Sequence, residues 1–369
     1  CAPSSHFLLR RRSRIGALQP ESFQAPAQKA HPDENQRHLL IISHNLQIPL
    51  GVVNEYDALS NNELKNVVQN VLDSKEFFGT PSTPCPTNIW ERGADGKARL
   101  KAKLDEKTFK ELEDYYLHID GEYVLNKLKI LEKHKLPPVR LVSWRTLEQL
   151  GRIPRSNEPF TVDALEAVTK CFKNRTVCYI VMFSHQWLRG REEPAHPDNI
   201  ENSKARSLVS YAKAHINDYG PRGFKFELFF WIDYAVVNQD NTTPGIIALP
   251  LHVACCSQIL CYLTPEYNDR AWCRLERIIA YQVHHSGHIQ HVIHMNHSEE
   301  QIEHAYKAKS FSSTVLLHPA HGELTSEKDR PLIEHLTSSM LAQNLVQSEG
   351  IRKKKPLEMG ITPVSEYRM

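Results

Sequence analysis

The sequence predicts an α/β protein: a doubly wound parallel sheet, three layers deep, preceded by a mostly helical N-terminal region. Three observations carry this. Between residues 177 and 295 four apolar runs alternate with stretches of helical spacing, the rhythm of βαβ units. The clearest of these runs are continuous, as in strands covered on both faces. The 369 residues are 41% apolar and 24% charged, which excludes a chain disordered throughout, a collagen and a coiled-coil rod.

Residues 1–36 are rich in Pro, Gln, Ser and Arg and lack apolar periodicity, so a disordered leader is expected. Its segment 6–15 is basic, and no acid precedes Glu21. That composition suits either a plain basic leader or the end of a mitochondrial presequence. The first residue is Cys1 rather than Met, as in a partial or processed product. The run at 39–42 reads as a short strand. Leu64, Val67, Val68 and Val71 predict a helix over 61–78, before a Pro/Thr/Ser loop at 79–86. Phe109, Leu112, Tyr116, Leu125, Leu128 and Leu131 predict helix over 107–135. Pro137-Pro138 and the prolines at 154 and 159 then set a mostly helical region, 37–150, apart from an α/β domain at 161–310.

Within that domain helix is expected over 161–171, then strand over 177–183, helix over 203–217 and strand over 226–232. Helix over 246–255, strand over 257–263, helix over 269–283, strand over 289–295 and helix over 298–308 complete it. Beyond about 320 the pattern fades into an extension, 320–369, whose run 352–355 reads as a solvated tail.

The charge balance, 45 Lys and Arg against 43 Asp and Glu, leaves +2, with no electrostatic footprint for nucleic acid or an anionic membrane. No run of 18 apolar residues occurs, so no membrane span is expected. Six of the eight cysteines lie in apolar stretches and none forms a Cys-x-x-Cys pair. Free buried thiols and a reducing compartment, the cytoplasm, are therefore expected; a mitochondrial location is the alternative.

Ligands of an open parallel sheet sit beyond the carboxyl ends of its strands. Three such ends carry polar or aromatic residues: Ser184-His185-Gln186-Trp187, Asp233-Tyr234, and Thr264-Pro265-Glu266-Tyr267. They are expected to converge. Glu276 is the sharpest single candidate. Its neighbours at i±3 and i±4 are Trp272, Cys273, Ile279 and Ala280, with no base to pair it. A carboxylate in an apolar stripe is costly unless something compensates it, either a ligand or a hydrogen bond to a nearby loop. Arg270, Arg274 and Arg277 form either a solvated face or a phosphate contact. His284, His285, His288, His291, His294 and His297 do not converge as metal ligands must, because His291 points opposite to His288 and His294 on a strand. Neither a Gly-rich phosphate loop nor a paired nucleophile and base is evident.

Residues 177–308 resemble a TIR domain (Toll/interleukin receptor type). Residues 179–184 are similar to its first strand. Phe229-Phe230-Trp231-Ile232-Asp233 resembles the second strand with its acidic end, leading to a loop with Gly245. The stretch 249–263, with Ala254, Ser257 and Ile259, is similar to the next helix and strand. Residues 267–276 match its most specific block, with Trp272-Cys273 and Glu276 in the family spacing. Three features depart from the family: Ser184-His185-Gln186-Trp187, Arg277 after the Glu, and a longer, more polar loop at 236–244. Trp231-Ile232-Asp233 with Asn238-Gln239-Asp240 also resembles a string of fungal HET (heterokaryon incompatibility) domains.

The resemblance implies a flavodoxin-like, TIR-like three-layer fold in an intracellular signalling protein. It also implies hydrolysis of NAD at the ribose–nicotinamide bond, with Glu276 catalytic. NAD is then a substrate, and no cofactor is required. Ser184, His185, Trp187, Asp233 and Trp272 are the implied nucleotide-binding residues, the tryptophans stacking on a flat ring or walling a cleft. The same resemblance equally implies a non-catalytic module that self-associates, or a sensor that binds a nucleotide without cleaving it.

Overall fold

A computed structural model of the chain describes residues 59–77, 90–92, 98–100, 104–192, 194–219, 223–283, 290–308, 316–348 and 361–362. The leader 1–36, the run 39–42, the loop 79–86, His284, His285, His288 and the tail 352–355 lie outside them. All the described residues belong to the unit Leu50–Met369.

Helix α1, Asn61–Leu72, starts at a capping box. Glu63 N donates to Ser60 Oγ while Ser60 N donates to Glu63 Oε2 at 2.9 Å. A short antiparallel hairpin comes next, β1 (Trp90–Arg92) and β2 (Ala98–Leu100). The helix expected over 107–135 divides into α2, Glu106–Leu117, and α3, Val124–Lys133. A π-helical turn, His118–Tyr123, joins them. Gly121 of that turn lies so close to Phe172 that a Cβ there would fall 2.9 Å from the ring, so a glycine lets the turn pass that side chain.

The chain continues through β3 (Arg140–Ser143), α4 (Trp144–Leu150), β4 (Val162–Asp163) and α5 (Ala164–Lys173). Gly151, at φ 62°, closes α4 in the left-handed conformation a side chain disfavours. Strand β5 (Val177–His185), α6 (Ser203–Tyr219) and β6 (Phe226–Trp231) stand where the sequence places them, to within a few residues. The helix expected over 246–255 is two short ones. After α7 (Asp233–Val236) come α8 (Thr243–Ile247) and α9 (Leu249–Ala254), each with proline near its start. Strand β7 (Gln258–Leu263), α10 (Ala271–Val283), β8 (Gln290–His294) and α11 (Glu299–Ala308) form as expected. The fading pattern beyond 320 is corrected by a 19-residue helix, α12 (Arg330–Ser348).

The result is an α/β sheet of six strands in the order β4-β3-β6-β5-β7-β8. It is mixed rather than wholly parallel. Strands β6, β5, β7 and β8 are parallel, whereas β3 runs antiparallel to both β6 and β4. Both faces carry helices. Ile180, Met182, Trp231, Ile259 and Cys261 pack on one side with residues of α3, α5, α9, α10 and α12. Val181, Phe183, Phe230, Leu260 and Ile293 pack on the other with Leu147, Leu208, Ala212 and Ile302. Strand order reverses between β5 and β7, the kind of position at which open α/β sheets bind ligands beyond their carboxyl ends. No helix among the described residues is long and apolar enough to cross a membrane. Cys171, Cys178, Cys255, Cys256, Cys261 and Cys273 are buried free thiols, as expected.

Candidate functional site

The three polar strand ends do converge. Trp187 Nε1 donates to Asp233 Oδ2 at 2.8 Å. Gln186 bridges β5 to the turn after β7, donating to Glu266 Oε2 at 2.8 Å and accepting from Thr264 Oγ1 at 2.7 Å. Because successive strand residues face opposite sides, the end of β5 serves two clusters at once.

On the side of α10, Ser184 Oγ donates to Glu276 Oε2 at 2.6 Å and lies 2.5 Å from the Tyr267 hydroxyl. Helix α10 brings Glu276 here because Leu275, Ile278 and Ile279 press its apolar stripe onto the sheet. Glu276 is only 8% exposed. Burial pushes its pKa to about 8, against the Ser184 hydrogen bond; the Asp233 charge pushes the same way as burial.

On the other side, His185 is turned toward Asp233, with Nε2 3.6 Å from Oδ1, too far for a hydrogen bond. Its side chain is 1% exposed and its Nε2 has no hydrogen-bond partner among the described residues, while Nδ1 faces Phe183 O at 3.2 Å. Burial, then the charge of Lys204, holds its pKa well below the usual value. Asp233 starts α7, and its Oδ1 accepts from Tyr234 N at 2.6 Å. Burial raises the Asp233 pKa, although its side chain is 34% exposed and water there weakens the effect. Gln239 fixes the loop after α7 by donating to the Asp233 carbonyl at 3.0 Å.

Lys204, which sequence reasoning missed, is fully buried in the first turn of α6. Its Nζ donates to the carbonyls of Gln186 and Pro197, and burial lowers its pKa to about 7. Asp198 accepts from Lys204 N and Ala205 N, each at 3.0 Å, which satisfies the open amides of that turn. No local pattern in the sequence distinguishes Lys204 from a solvated lysine at a helix start.

Ser184, His185, Trp187, Asp233 and Glu276 are therefore neighbours. Trp272 is engaged elsewhere, its Nε1 donating to Asp329 Oδ2 at 3.3 Å. The solvated face expected of Arg270, Arg274 and Arg277 is corrected. Arg277 is 4% exposed and donates to Asn268 Oδ1 at 2.8 Å. Arg274 donates to the carbonyls of Asn268 and His318, and Arg270 to Thr325. Near the amino ends of β5 and β6, away from Glu276, lies a hollow of about 330 Å³ lined by Thr176, Ile216, Phe224, Lys225, Phe226 and Glu227.

Compared with models of known protein families, with curated proteins and with solved structures, the chain matches none.

Proposed function

We propose that this is a TIR-like signalling protein of the cytoplasm whose α/β domain hydrolyses NAD at the ribose–nicotinamide bond. One observation carries the reading. Glu276 is a buried carboxyl held by a serine hydroxyl, at the carboxyl edge of the sheet where strand order reverses. The order β6-β5-β7-β8 with helices on both faces supports the doubly wound, TIR-like class. Buried free thiols support a reducing compartment.

In the proposed reaction the bond between ribose C1′ and the pyridinium nitrogen breaks. Its electron pair leaves with nicotinamide, and the ribose becomes a cationic, oxocarbenium-like species. Ionised Glu276 offsets that charge and binds ribose hydroxyls. Water then adds to C1′ and loses a proton, giving ADP-ribose. Asp233, the more exposed carboxylate, and Trp187 meet an incoming nucleotide first.

The low exposure of Glu276 favours a second reading, a non-catalytic module that self-associates or senses a nucleotide. Incubating purified protein with NAD and measuring nicotinamide separates the two. Release that Glu276→Ala abolishes supports hydrolysis. No release at any protein concentration, or release untouched by Glu276→Ala, rejects it.

A further inference from the structure

Glu276, Ser184 and Tyr267 are linked in a row by contacts of 2.6 and 2.5 Å. Each hydroxyl has one proton to give. When Ser184 gives its proton to an ionised Glu276, the contact between Ser184 and Tyr267 must be filled by the tyrosine proton. The row then runs from Tyr267 through Ser184 to the carboxylate. The reverse order needs a protonated Glu276 donating to Ser184 and Ser184 donating to Tyr267. Tyr267 then has to turn its own proton to the sulfur of Cys261, the other partner within its reach. A thiol sulfur accepts weakly, whereas in the first order the phenol donates to a hydroxyl oxygen, so the first order is preferred. Tyr267 is fully buried, in the turn Tyr267–Asp269 between β7 and α10, where water cannot substitute for its hydroxyl.

We propose that Tyr267 is a positioning residue of the Glu276 site: its hydroxyl fixes the direction of the Ser184 hydroxyl and thereby favours the ionised carboxylate. This rests on Glu276 being the working group of the site. Other groups also face this corner. The charge of Asp233 opposes ionisation of Glu276. Cys273 on the same helix and Cys261 on β7 are buried thiols pushed well toward the neutral form. Lys204 acts on Cys273, and Arg277 on Cys261. Replacing only the Tyr267 hydroxyl leaves all of them in place.

The test is an infrared titration of the carboxyl groups of the full chain, with Glu276→Gln identifying the Glu276 band. Tyr267→Phe raises the midpoint of that band by about half to one pH unit, a three- to tenfold change in the ionisation constant. In a Ser184→Ala background the same substitution adds nothing, because the route through Ser184 is already cut. A difluorotyrosine at 267, more acidic and nearly the same shape, lowers the midpoint and decides the matter even if Tyr267→Phe does not fold. An unchanged midpoint in either chain overturns the proposal, as does a shift that persists undiminished without Ser184. None of these readings needs turnover. A chain that never releases nicotinamide yet shows the predicted shifts rejects NAD hydrolysis and keeps the role of Tyr267.

Discussion

A carboxylate that burial raises from about 4.5 to about 8 carries a stability signature of its own. Across that window the folded chain retains a proton on Glu276 that the unfolded chain has released, so folding weakens as pH rises. Glu276→Gln removes this effect. Its stability relative to the native chain should improve from pH 5 to pH 8, by no more than about 4 kcal/mol. Chemical unfolding of both chains at the two pH values measures it, and an unchanged difference would mean that the carboxylate is well hydrated. Catalysis has the opposite dependence. If ionised Glu276 supports NAD cleavage, kcat/KM rises with pH and levels off above about 8, as nicotinamide release would record. The isolation of Glu276 was legible in the sequence, because its helical neighbours are all apolar. Its partner was less so: Ser184 lies 92 residues earlier, and only the topology of a parallel sheet suggests that the two meet. Lys204 left no trace, because the carbonyls that receive its ammonium, those of Gln186 and Pro197, lie outside its own helix.

Elements were legible where they have to be self-consistent over many residues. Strands β5, β6 and β7 are covered on both faces, so their apolar runs are long and unbroken. Strand β3 has only four residues, just after two prolines, and its two central apolar positions are too few for any period. In the π turn between α2 and α3, Gly121 makes room for Phe172, a residue outside both helices. The start of α10 is likewise fixed from afar. Ala271 N donates to Glu323 O at 2.9 Å and Glu323 N to Asp269 O at 2.7 Å, which draws Gly322 against the helix backbone. A Cβ on Gly322 would sit 2.5 Å from Ala271 Cα and 2.6 Å from its nitrogen, and neither atom belongs to a side chain that could swing away. Gly322→Ala should therefore cost about 2–3 kcal/mol. Gly151→Ala is the comparison: its added methyl meets none of the described residues within 4 Å and costs only the strain of a left-handed backbone, about 1 kcal/mol. Melting temperatures of the two variants should rank in that order; equal losses would mean that the segment around Gly322 yields freely.

At the scale of the molecule, helix α10 is held on two sides. It packs on the sheet and also meets α12, whose Ile333, Leu336 and Met340 belong to the same core. These three α12 residues recur at helical spacing, so the signal was present. It was obscured by the Ser, Thr, His and Gln residues around them, among which the periodic pattern fades. Trp272 of α10 donates to Asp329, in the turn just before α12, and Arg330 donates to the carbonyls of Ala320 and Gly322. A helix that supports the Glu276 element from behind should transmit its own loosening to that element. Ile333 is fully buried, and Ile333→Ala should cost about 2–4 kcal/mol through the cavity it leaves. Hydrogen exchange distinguishes a support from an appendage. In the variant, exchange should quicken along α10 as well as α12, while β5 and β6 keep their protection. Faster exchange confined to α12 would mean that the sheet alone positions Glu276, and that the residues after 316 contribute nothing to the geometry of the site.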